Sequence, residues 1–263
     1  MGRGLRVGVA GATGAVGLEM LSVLEERSFP LSDITAMASD RGGDRTVAFA
    51  GEDVPVVPLT EDALDGLDVV LFATGAAVSR QFVPVVADLG GVAIDNSRAF
   101  RMEPGVPLVV PEVNPEATAL HKGIIANPNC STIQMVLALE PLHREAGLLR
   151  VVASTYQSVS GTGLAAVEEL RQQSLAVLGG EPAVSEVYPT QIAFNCIPHI
   201  DDFDDAGNTR EETKMIDETR KIMGLPGLSV AVTCVRVPVF RSHAIALHVQ
   251  LEEGLPASDA REV

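Results

Sequence analysis

A glycine-rich turn between a strand pattern and a helix pattern constrains the fold of this chain more than any other feature. Leu5–Ala10 is a short run with valine at alternate positions, which is typical of a buried strand. The sequence GATGAVG follows at residues 11–17, and residues 14–27 then place apolar side chains at helical spacing. Glycines at this point let the backbone approach a pyrophosphate, which the helix N-terminus binds. The turn therefore predicts a dinucleotide site, with an ordinary glycine-rich connection as the alternative.

The first hundred residues continue this alternation of strand and helix. Further strand patterns lie at residues 34–38, 68–74 and 92–95, and a helix pattern lies at residues 78–89. Strand and helix in repeated order predict parallel pairing, so we expect a Rossmann-like, doubly wound α/β sheet in a first domain, residues 1–128. Residues 46–59 are compatible with either a small hairpin insert or a pair of edge strands.

The pattern changes in the second half of the chain, after a proline-rich break that excludes continuous helix. The helix patterns there are residues 130–146, 163–178 and 209–223. The long strand patterns are residues 149–158, 229–238 and 243–252. Long strands with few crossovers predict a mixed or antiparallel sheet covered by helices, so residues 129–263 are expected to form a second, α+β domain.

Composition excludes several classes of function. The chain has 19 Lys and Arg against 35 Asp and Glu, a formal net charge of −16. This balance argues against nucleic acid or an anionic membrane as the main partner, because phosphates recruit basic residues. The chain has no apolar run of about 18 residues, the length that a membrane span needs, and no signal-peptide pattern. We therefore expect a soluble, cytoplasmic enzyme. Three cysteines are too few and too widely spaced for a disulfide framework or a metal cluster.

The residues after the second strand pattern bear on the choice of dinucleotide. An acidic residue at this point binds a ribose diol and repels a 2′-phosphate. Arg41 is suited to pairing with a 2′-phosphate and Ser39 to hydrogen bonding it, whereas Asp40 weakens this interpretation. The charge argument favours NADP over NAD.

The segment NPNCST at residues 127–132 contains the candidate nucleophile. Pro128 ends the preceding strand, and Cys130 stands where a helix pattern begins. Oriented N–H groups at a helix N-terminus favour a thiolate, although a buried structural cysteine is the commoner case. Cys196 and Cys234 lie in strand-like apolar runs and fit that structural case better.

The proton partner of the thiol is less well defined by the sequence. His243 follows a turn that can aim a side chain into a cleft, and His199 is a rival that the sequence barely separates from it. Arg236 interrupts an apolar strand pattern, where a charge is costly unless it is paired or faces a cleft.

Eight motifs occur in a distinctive order along the chain. They are GATGAVG at residues 11–17, DNSRAFRM at 95–102, VPLVVPEVN at 106–114, NPNCSTIQMV at 127–136, YQSVSGTG at 156–163, IPHID at 197–201, REETK at 210–214 and CVRVPVFRSH at 234–243. Together they resemble the aspartate-β-semialdehyde dehydrogenase family over essentially the whole chain. The resemblance implies NADPH-dependent reduction of L-4-aspartyl phosphate to L-aspartate 4-semialdehyde and phosphate through a cysteine thioester. This step belongs to lysine and diaminopimelate, threonine, methionine and isoleucine biosynthesis.

The resemblance also implies roles for individual residues. Cys130 would be the nucleophile, His243 the general acid/base, and Gln157 would orient the substrate at the thioester. Arg236 would bind the substrate carboxylate, and Glu211 would help to hold its amino-acid head group. The implied phosphate ligands are Arg101, Asn129 and Lys214, and Gln157 would also contact the substrate. The implied or predicted contacts of NADP are Gly11, Thr13, Gly14, Ala15, Val16, Ser39, Arg41, Gly42, Ser160 and Gly161. Residues 129–263 would be both the catalytic domain and the contact surface of a homodimer.

Three alternatives remain at this point. N-acetyl-γ-glutamyl-phosphate reductase shares the fold and the chemistry, but the NCSTIQ run and REETK favour the aspartate enzyme. A glyceraldehyde-3-phosphate type of enzyme places its cysteine in a different local pattern. Members of the resembled family usually extend beyond the position that matches Val263, so we expect this chain to lack their C-terminal segment. A shortened, non-catalytic product that binds only nucleotide or a subunit is therefore the alternative from another class.

Overall fold

The computed structural model describes residues 4–39 and 45–263. The chain divides into two compact units, which we call the N-terminal unit (Met1–Pro128) and the C-terminal unit (Asn129–Val263). Each is described separately below. Over the described residues, no helix is both long and apolar enough to cross a membrane.

A mostly parallel sheet forms the centre of the N-terminal unit. Its strands, among the described residues, are β1 (Leu5–Ala10), β2 (Leu31–Ala38), β3 (Thr46–Phe49), β4 (Glu52–Pro58), β5 (Val69–Phe72), β6 (Val92–Asp95) and β7 (Ile124–Ala126). They are ordered β3-β4-β2-β1-β5-β6-β7, and every neighbouring pair is parallel except the β3–β4 hairpin. The doubly wound sheet is confirmed. The hairpin is also an edge pair, because β4 runs parallel beside β2.

Helices cover both faces of this sheet. They are α1 (Ala15–Glu26), the single turn α2 (Glu61–Leu64) and α3 (Ala76–Asp88). Successive strand residues point to opposite faces, so Val70 and Phe72 pack with Val83 of α3, while Val9 packs with Leu21 of α1. This layering brings the carboxyl ends of β1, β2 and β5 to one edge of the sheet. The strand expected before Pro128 is the three-residue β7.

The C-terminal unit is built on a mixed sheet, as predicted. Its strands are β8 (Leu148–Gln157), β9 (Ser229–Arg236) and β10 (Ala244–Leu251); β8 is central, parallel to β9 and antiparallel to β10. Its helices are α4 (Cys130–Ala146), α5 (Leu164–Leu178) and α6 (Arg210–Ile222). Met135 and Leu139 of α4 and Met215 of α6 pack against Val151 and Ala153 on one sheet face. A 3₁₀ turn, Val159–Thr162, connects β8 towards α5.

Candidate active site and nucleotide cleft

A cleft of about 480 Å³ opens in the N-terminal unit where the parallel strands end. Gly11, Thr13 and Gly14 line it after β1, Ser39 after β2 and Thr74 after β5. Open α/β sheets bind their ligands at this edge. Four of the predicted cofactor residues therefore lie together in one cleft.

Two helix N-termini contribute to this cleft. Gly14 is the N-cap of α1 and Gly75 the N-cap of α3; both line the cleft, and neither makes a side-chain cap hydrogen bond. Gly11 has φ +85°, and a Cβ there would lie 2.5 Å from the Ala73 carbonyl oxygen, so a side chain does not fit. First-turn N–H groups without a side-chain cap are the donors that a pyrophosphate uses, so the cleft fits a dinucleotide.

The remaining predicted cofactor residues are distributed differently. Ala15 and Val16 begin α1 directly after the turn. Arg41 and Gly42 lie outside the described residues, and Ser160 and Gly161 belong to the C-terminal unit. Sequence reasoning missed the apolar lining, which includes Leu59, Val78 and Phe82.

Sequence reasoning also missed Arg45, which begins the approach to β3. Its Nη2 donates a 2.7 Å hydrogen bond to the carbonyl of Ser39, placing a cation beside the cleft at the end of β2. A second arginine close after Arg41 was the available signal, but without the β2–β4 pairing nothing in the sequence showed that this segment returns to the cleft.

Asn129 and Cys130 form the junction at which α4 begins. The Asn129 side chain caps the helix, because its Oδ1 accepts the N–H groups of Ser131 at 2.9 Å and Thr132 at 3.3 Å. Its Nδ2 donates to Oε1 of Glu211 at 2.8 Å. Asn129, predicted as a phosphate ligand, is thus engaged at both ends of its amide within the unit.

The Cys130 thiol has a raised pKa, contrary to the expectation that the helix N-terminus favours its thiolate. The side chain is reachable from solvent, yet it lies deep enough among protein atoms that desolvation raises its pKa, and the Glu211 carboxylate raises it further. The hydroxyl and N–H of Ser131 and the charge of Arg236 offset only part of this. The Asn129 side chain also accepts the first-turn N–H groups of Ser131 and Thr132, so the helix end stabilises the thiolate only in part.

A buried carboxylate organises one side of the site. Glu211 lies in the first turn of α6, and its Oε1 accepts hydrogen bonds from Nδ2 of Asn129 at 2.8 Å and Nε2 of Gln157 at 3.2 Å. Gln157, at the end of β8, also donates to Oγ of Ser131 at 2.8 Å. Nζ of Lys214 lies 3.2 Å from Oε2 of Glu211 and 2.8 Å from Oδ2 of Asp201. These contacts hold a negative group one helix turn from Lys214 and in direct hydrogen bond with Asn129, the residue before the candidate nucleophile.

Arg236 brings a buried positive charge to the same unit. It pairs with Gln157 in the β8–β9 register and is only 6% exposed. Its Nη1 donates to the Ser158 carbonyl at 2.6 Å, and its Nε is buried without a hydrogen-bond partner. Over the described part of the chain its guanidinium pairs with no carboxylate. A buried arginine in this state is suited to an anionic ligand.

His243 faces Arg236 across Gly161. A Cβ at Gly161 would lie 3.2 Å from Nη1 of Arg236 and 3.4 Å from Nε2 of His243, so both groups border the same small space. Burial lowers the pKa of His243, and Arg236 lowers it further, against the Ser242 carbonyl and Glu211, which raise it. The rival, His199, instead stacks on Phe203 with ring centroids 4.5 Å apart. The geometry thus separates two histidines that the sequence barely separated.

The other predicted residues behave in different ways. Arg101 lies in the N-terminal unit, where it donates to the carbonyls of Asn127 and Asn96. Cys234 is buried, as expected, and burial raises its pKa to about 12. The prediction that Cys196 is a buried strand residue was wrong: it is exposed, in an irregular segment where the Asn195 side chain accepts its N–H.

Comparison with known families assigns a class to these two units. The semialdehyde dehydrogenase NAD-binding domain matches residues 6–121, and the semialdehyde dehydrogenase dimerisation domain matches residues 139–263. Fold and site therefore define a semialdehyde dehydrogenase with a nicotinamide cofactor.

Individual relatives narrow the class. The chain is similar to aspartate-semialdehyde dehydrogenase of Aquifex aeolicus, at 49% identity over 99% of this chain and 78% of the relative. The Bacillus subtilis enzyme of the same name is 48% identical over 96% of this chain and 75% of the relative. Aspartate semialdehyde dehydrogenase II of Vibrio cholerae, solved in complex with ASA, has a TM-score of 0.97 and 46% identity, covering 99% of this chain and 78% of that one. The chain belongs to the aspartate-semialdehyde dehydrogenase family.

Proposed function

We propose that this chain catalyses the NADPH-dependent reduction of L-4-aspartyl phosphate to L-aspartate 4-semialdehyde and phosphate. The main support is that Cys130, Glu211, Arg236 and His243 lie close enough in one unit to affect one another's charge. The relatives of this chain are aspartate-semialdehyde dehydrogenases. The reaction is a step in the biosynthesis of lysine, threonine, methionine and isoleucine. A reduced Cys130 thiol fits the cytoplasm as the place of action.

Cys130 is the proposed nucleophile. Its thiolate attacks the acyl phosphate, the C–O bond to phosphate breaks, and an aspartyl thioester remains on Sγ. NADPH, when bound in the N-terminal cleft, supplies the hydride that reduces the thioester carbon. The C–S bond then breaks, which releases the aldehyde and regenerates the thiolate. Gln157, bonded to both Ser131 and Glu211, holds the acyl group in place for these steps.

The charges around Cys130 suit the groups of an aspartyl substrate. Arg236 is proposed to bind the α-carboxylate through the edge of its guanidinium that carries Nε, which has no hydrogen-bond partner, and Glu211 to bind the α-ammonium group. Binding of that ammonium group beside Glu211 also offsets the carboxylate charge, which after burial is the second cause of the raised Cys130 pKa. Lys214 is the proposed phosphate cation beside Glu211; Arg101 and Asn129 join it on the family resemblance alone.

A spectrophotometric assay of the reverse reaction tests this proposal. Purified protein is given L-aspartate 4-semialdehyde, phosphate and NADP⁺, and phosphate is omitted from the control. We expect phosphate-dependent formation of NADPH. Turnover of N-acetyl-glutamate semialdehyde in its place would identify the related reductase, and nucleotide binding without any turnover would identify a non-catalytic chain.

NADP is the proposed cofactor in preference to NAD. Ser39 lines the cleft at the end of β2, and Arg45 presents its guanidinium beside it. A hydroxyl and an arginine at this point suit a ribose 2′-phosphate, and the predicted Arg41 lies close by in the sequence. Ala15, Val16 and Gly42 are proposed to complete the contacts along the turn and the β2 end.

Replacing Arg45 by alanine tests the cofactor proposal. Loss of one charge-assisted hydrogen bond to the 2′-phosphate should raise the KM for NADPH about 10-fold and leave that for NADH unchanged. Arg27→Ala, an exposed arginine on the same unit, is the matched control. Equal effects on the two cofactors, or no effect on either, would remove Arg45 from cofactor selection.

A homodimer is the proposed assembly, and the open face of the mixed sheet is its proposed contact surface. Side chains on this face come from alternate positions opposite the helix-covered core, and they are exposed or half-buried. Tyr156 pairs across it with Ala244 and Val235, and Ser154 pairs with Ala246 and Thr233. Small and apolar residues at these positions suit packing of one sheet on another. The match of residues 139–263 to a dimerisation domain supports a dimer contact within this unit.

Ala246→Glu tests the proposed contact surface. A carboxylate in the middle row of this face, unpaired in a dimer, should shift the protein to monomers at micromolar concentration, as measured by sedimentation. Ala119→Glu, an exposed alanine of the N-terminal unit, should leave assembly unchanged. A dimer of undiminished stability in Ala246→Glu would place the interface elsewhere.

A further inference from the structure

The main-chain N–H of Asn129, directly before the candidate nucleophile, is bound by a carboxylate that the proposed reaction steps do not involve. It donates to Oε2 of Glu218 at 2.6 Å. Asn129 is 8% exposed and Glu218 only 1%, so this hydrogen bond lies out of reach of bulk water. Glu218 is 89 residues away in the sequence, in the second half of α6. A buried N–H that loses its acceptor is costly, so the carboxylate fixes where this piece of main chain lies.

The start of α4 differs from the start of α6 in where this acceptor comes from. In a capping box, a Glu or Gln at the third helical position accepts the N–H of the N-cap residue. α6 has such a box, because the N–H of its N-cap Thr209 donates to Oε2 of Glu212 at 2.7 Å. α4 has Thr132 at its third position, and the Thr132 Oγ1 is buried with no hydrogen-bond partner among the described residues. Glu218 therefore supplies, from another helix, the acceptor that the first turn of α4 lacks.

An acceptor from another helix fixes two helices relative to each other. A capping box within α4 would fix Asn129 only with respect to its own first turn, whereas Glu218 fixes it with respect to α6. Glu211 lies two helical turns before Glu218, on the same side of α6, and binds the Asn129 side chain at 2.8 Å. α6 thus holds Asn129 by its main chain and by its amide. Because Cys130 is the next residue, α6 sets its place relative to the carboxylate proposed for the substrate ammonium group.

We propose that Glu218 is a positioning residue, which through the Asn129 N–H sets the place from which Sγ of Cys130 attacks the substrate. The proposal rests on the proposed function. In this role Glu218 neither touches the substrate nor transfers a proton; Glu211 and Arg236 hold the substrate. A displacement of reacting groups by about 1 Å costs on the order of 100-fold in rate even when the substrate still binds. The expected signature of a lost Glu218 contact is therefore a lower kcat with a KM for L-aspartate 4-semialdehyde that changes little.

Two substitutions separate the position of this side chain from its charge. Glu218→Gln keeps the side-chain length and an acceptor oxygen but loses the charge, whereas Glu218→Asp keeps the charge and is one methylene shorter. We expect kcat to fall about 100-fold in Glu218→Asp and to stay at least about 10-fold higher than that in Glu218→Gln. The KM for L-aspartate 4-semialdehyde should stay within about 3-fold of the wild-type value in both. The opposite order of kcat values, or wild-type kcat in Glu218→Asp, would overturn the proposal.

Gln173→Asn is the matched control for a general loss of packing. Gln173 of α5 is 1% exposed, and its Oε1 accepts the N–H groups of Ile192 and Ala193 at 2.9 and 3.1 Å. The same shortening of a buried acceptor should lower the midpoint of thermal unfolding and leave kcat at the wild-type level. A fall in kcat as large as that in Glu218→Asp would mean that any buried defect of this unit slows turnover, which would contradict a specific role of Glu218.

Hydrogen exchange of the Asn129 N–H tests the contact without requiring activity, and it is followed by amide NMR of the wild type and of both Glu218 variants. We expect a protected N–H in the wild type and in Glu218→Gln, and exchange about 10-fold faster in Glu218→Asp. Rapid exchange in the wild type would overturn the proposal. An inactive wild-type protein would refute the proposed function and the positioning role together, whereas an active one with the opposite order of kcat values would refute the positioning role alone.

Discussion

Replacing Cys130 by serine should lower turnover by about 10⁴-fold or more while NADPH binding persists. A serine hydroxyl is scarcely ionised at neutral pH, whereas a thiol ionises far more readily, although burial and then the Glu211 carboxylate raise the pKa of Cys130. The cofactor cleft is formed by residues of the other unit, after β1, β2 and β5, and does not use the thiol. The measurements are the phosphate-dependent assay and a fluorescence titration with NADPH.

Cys196→Ser is the matched control for this experiment. Cys196 is exposed, lies in an irregular segment and makes none of the contacts that organise the site. Its replacement should leave turnover and NADPH affinity at the wild-type level. Near-wild-type turnover in Cys130→Ser would exclude a thioester on this residue, and loss of activity in both variants would point to damage unrelated to the chemistry.

Arg236→Lys should reduce kcat/KM on the order of 100-fold, mainly through a higher KM for the substrate. The guanidinium has enough donors to bind the Ser158 carbonyl and still present two parallel N–H groups to a carboxylate. A lysine ammonium has a single nitrogen and cannot do both, so one or two hydrogen bonds to a charged group are lost. The kinetic parameters are measured with L-aspartate 4-semialdehyde as the varied substrate.

The neighbouring Arg241 provides the control for the arginine experiment. Arg241 is exposed, so Arg241→Lys makes the same substitution outside the buried site. It should leave the KM for the substrate unchanged. Thermal unfolding of Arg236→Lys separates a loss of folding from a loss of binding. A normal KM in a folded Arg236→Lys protein would remove this residue from the carboxylate site.

Much of the fold could be predicted from local patterns. The strand β1, the turn after it and the helix α1 follow from alternating and helical spacing, and the start of α4 at Cys130 follows from Pro128 and the apolar period beyond it. The mixed sheet of the C-terminal unit was predicted from long strands with few crossovers. These features depend on residues close together in the chain, so the sequence contains enough information to recognise them.

The electrostatic state of the site could not be predicted in the same way. Asn129 and Glu211 are 82 residues apart in the sequence, and Ser158 and His243 are 85 apart, yet each pair is hydrogen bonded. Local reasoning therefore assigned the first-turn N–H groups of α4 to the thiolate alone, whereas in the folded chain the Asn129 side chain also accepts them. It also placed Cys196 in a strand, because an apolar run does not show whether a partner strand exists.

The most direct test of the central claim is a single-turnover experiment without phosphate. The protein is mixed with NADP⁺ and an excess of L-aspartate 4-semialdehyde, NADPH is followed by absorbance, and the protein mass is then measured. We predict a burst of NADPH equal to the concentration of active sites and one aspartyl group, mapped to Cys130, that is released when phosphate is added. Continuous NADPH formation without phosphate, or a burst whose acyl group maps to another residue, would contradict a thioester on Cys130.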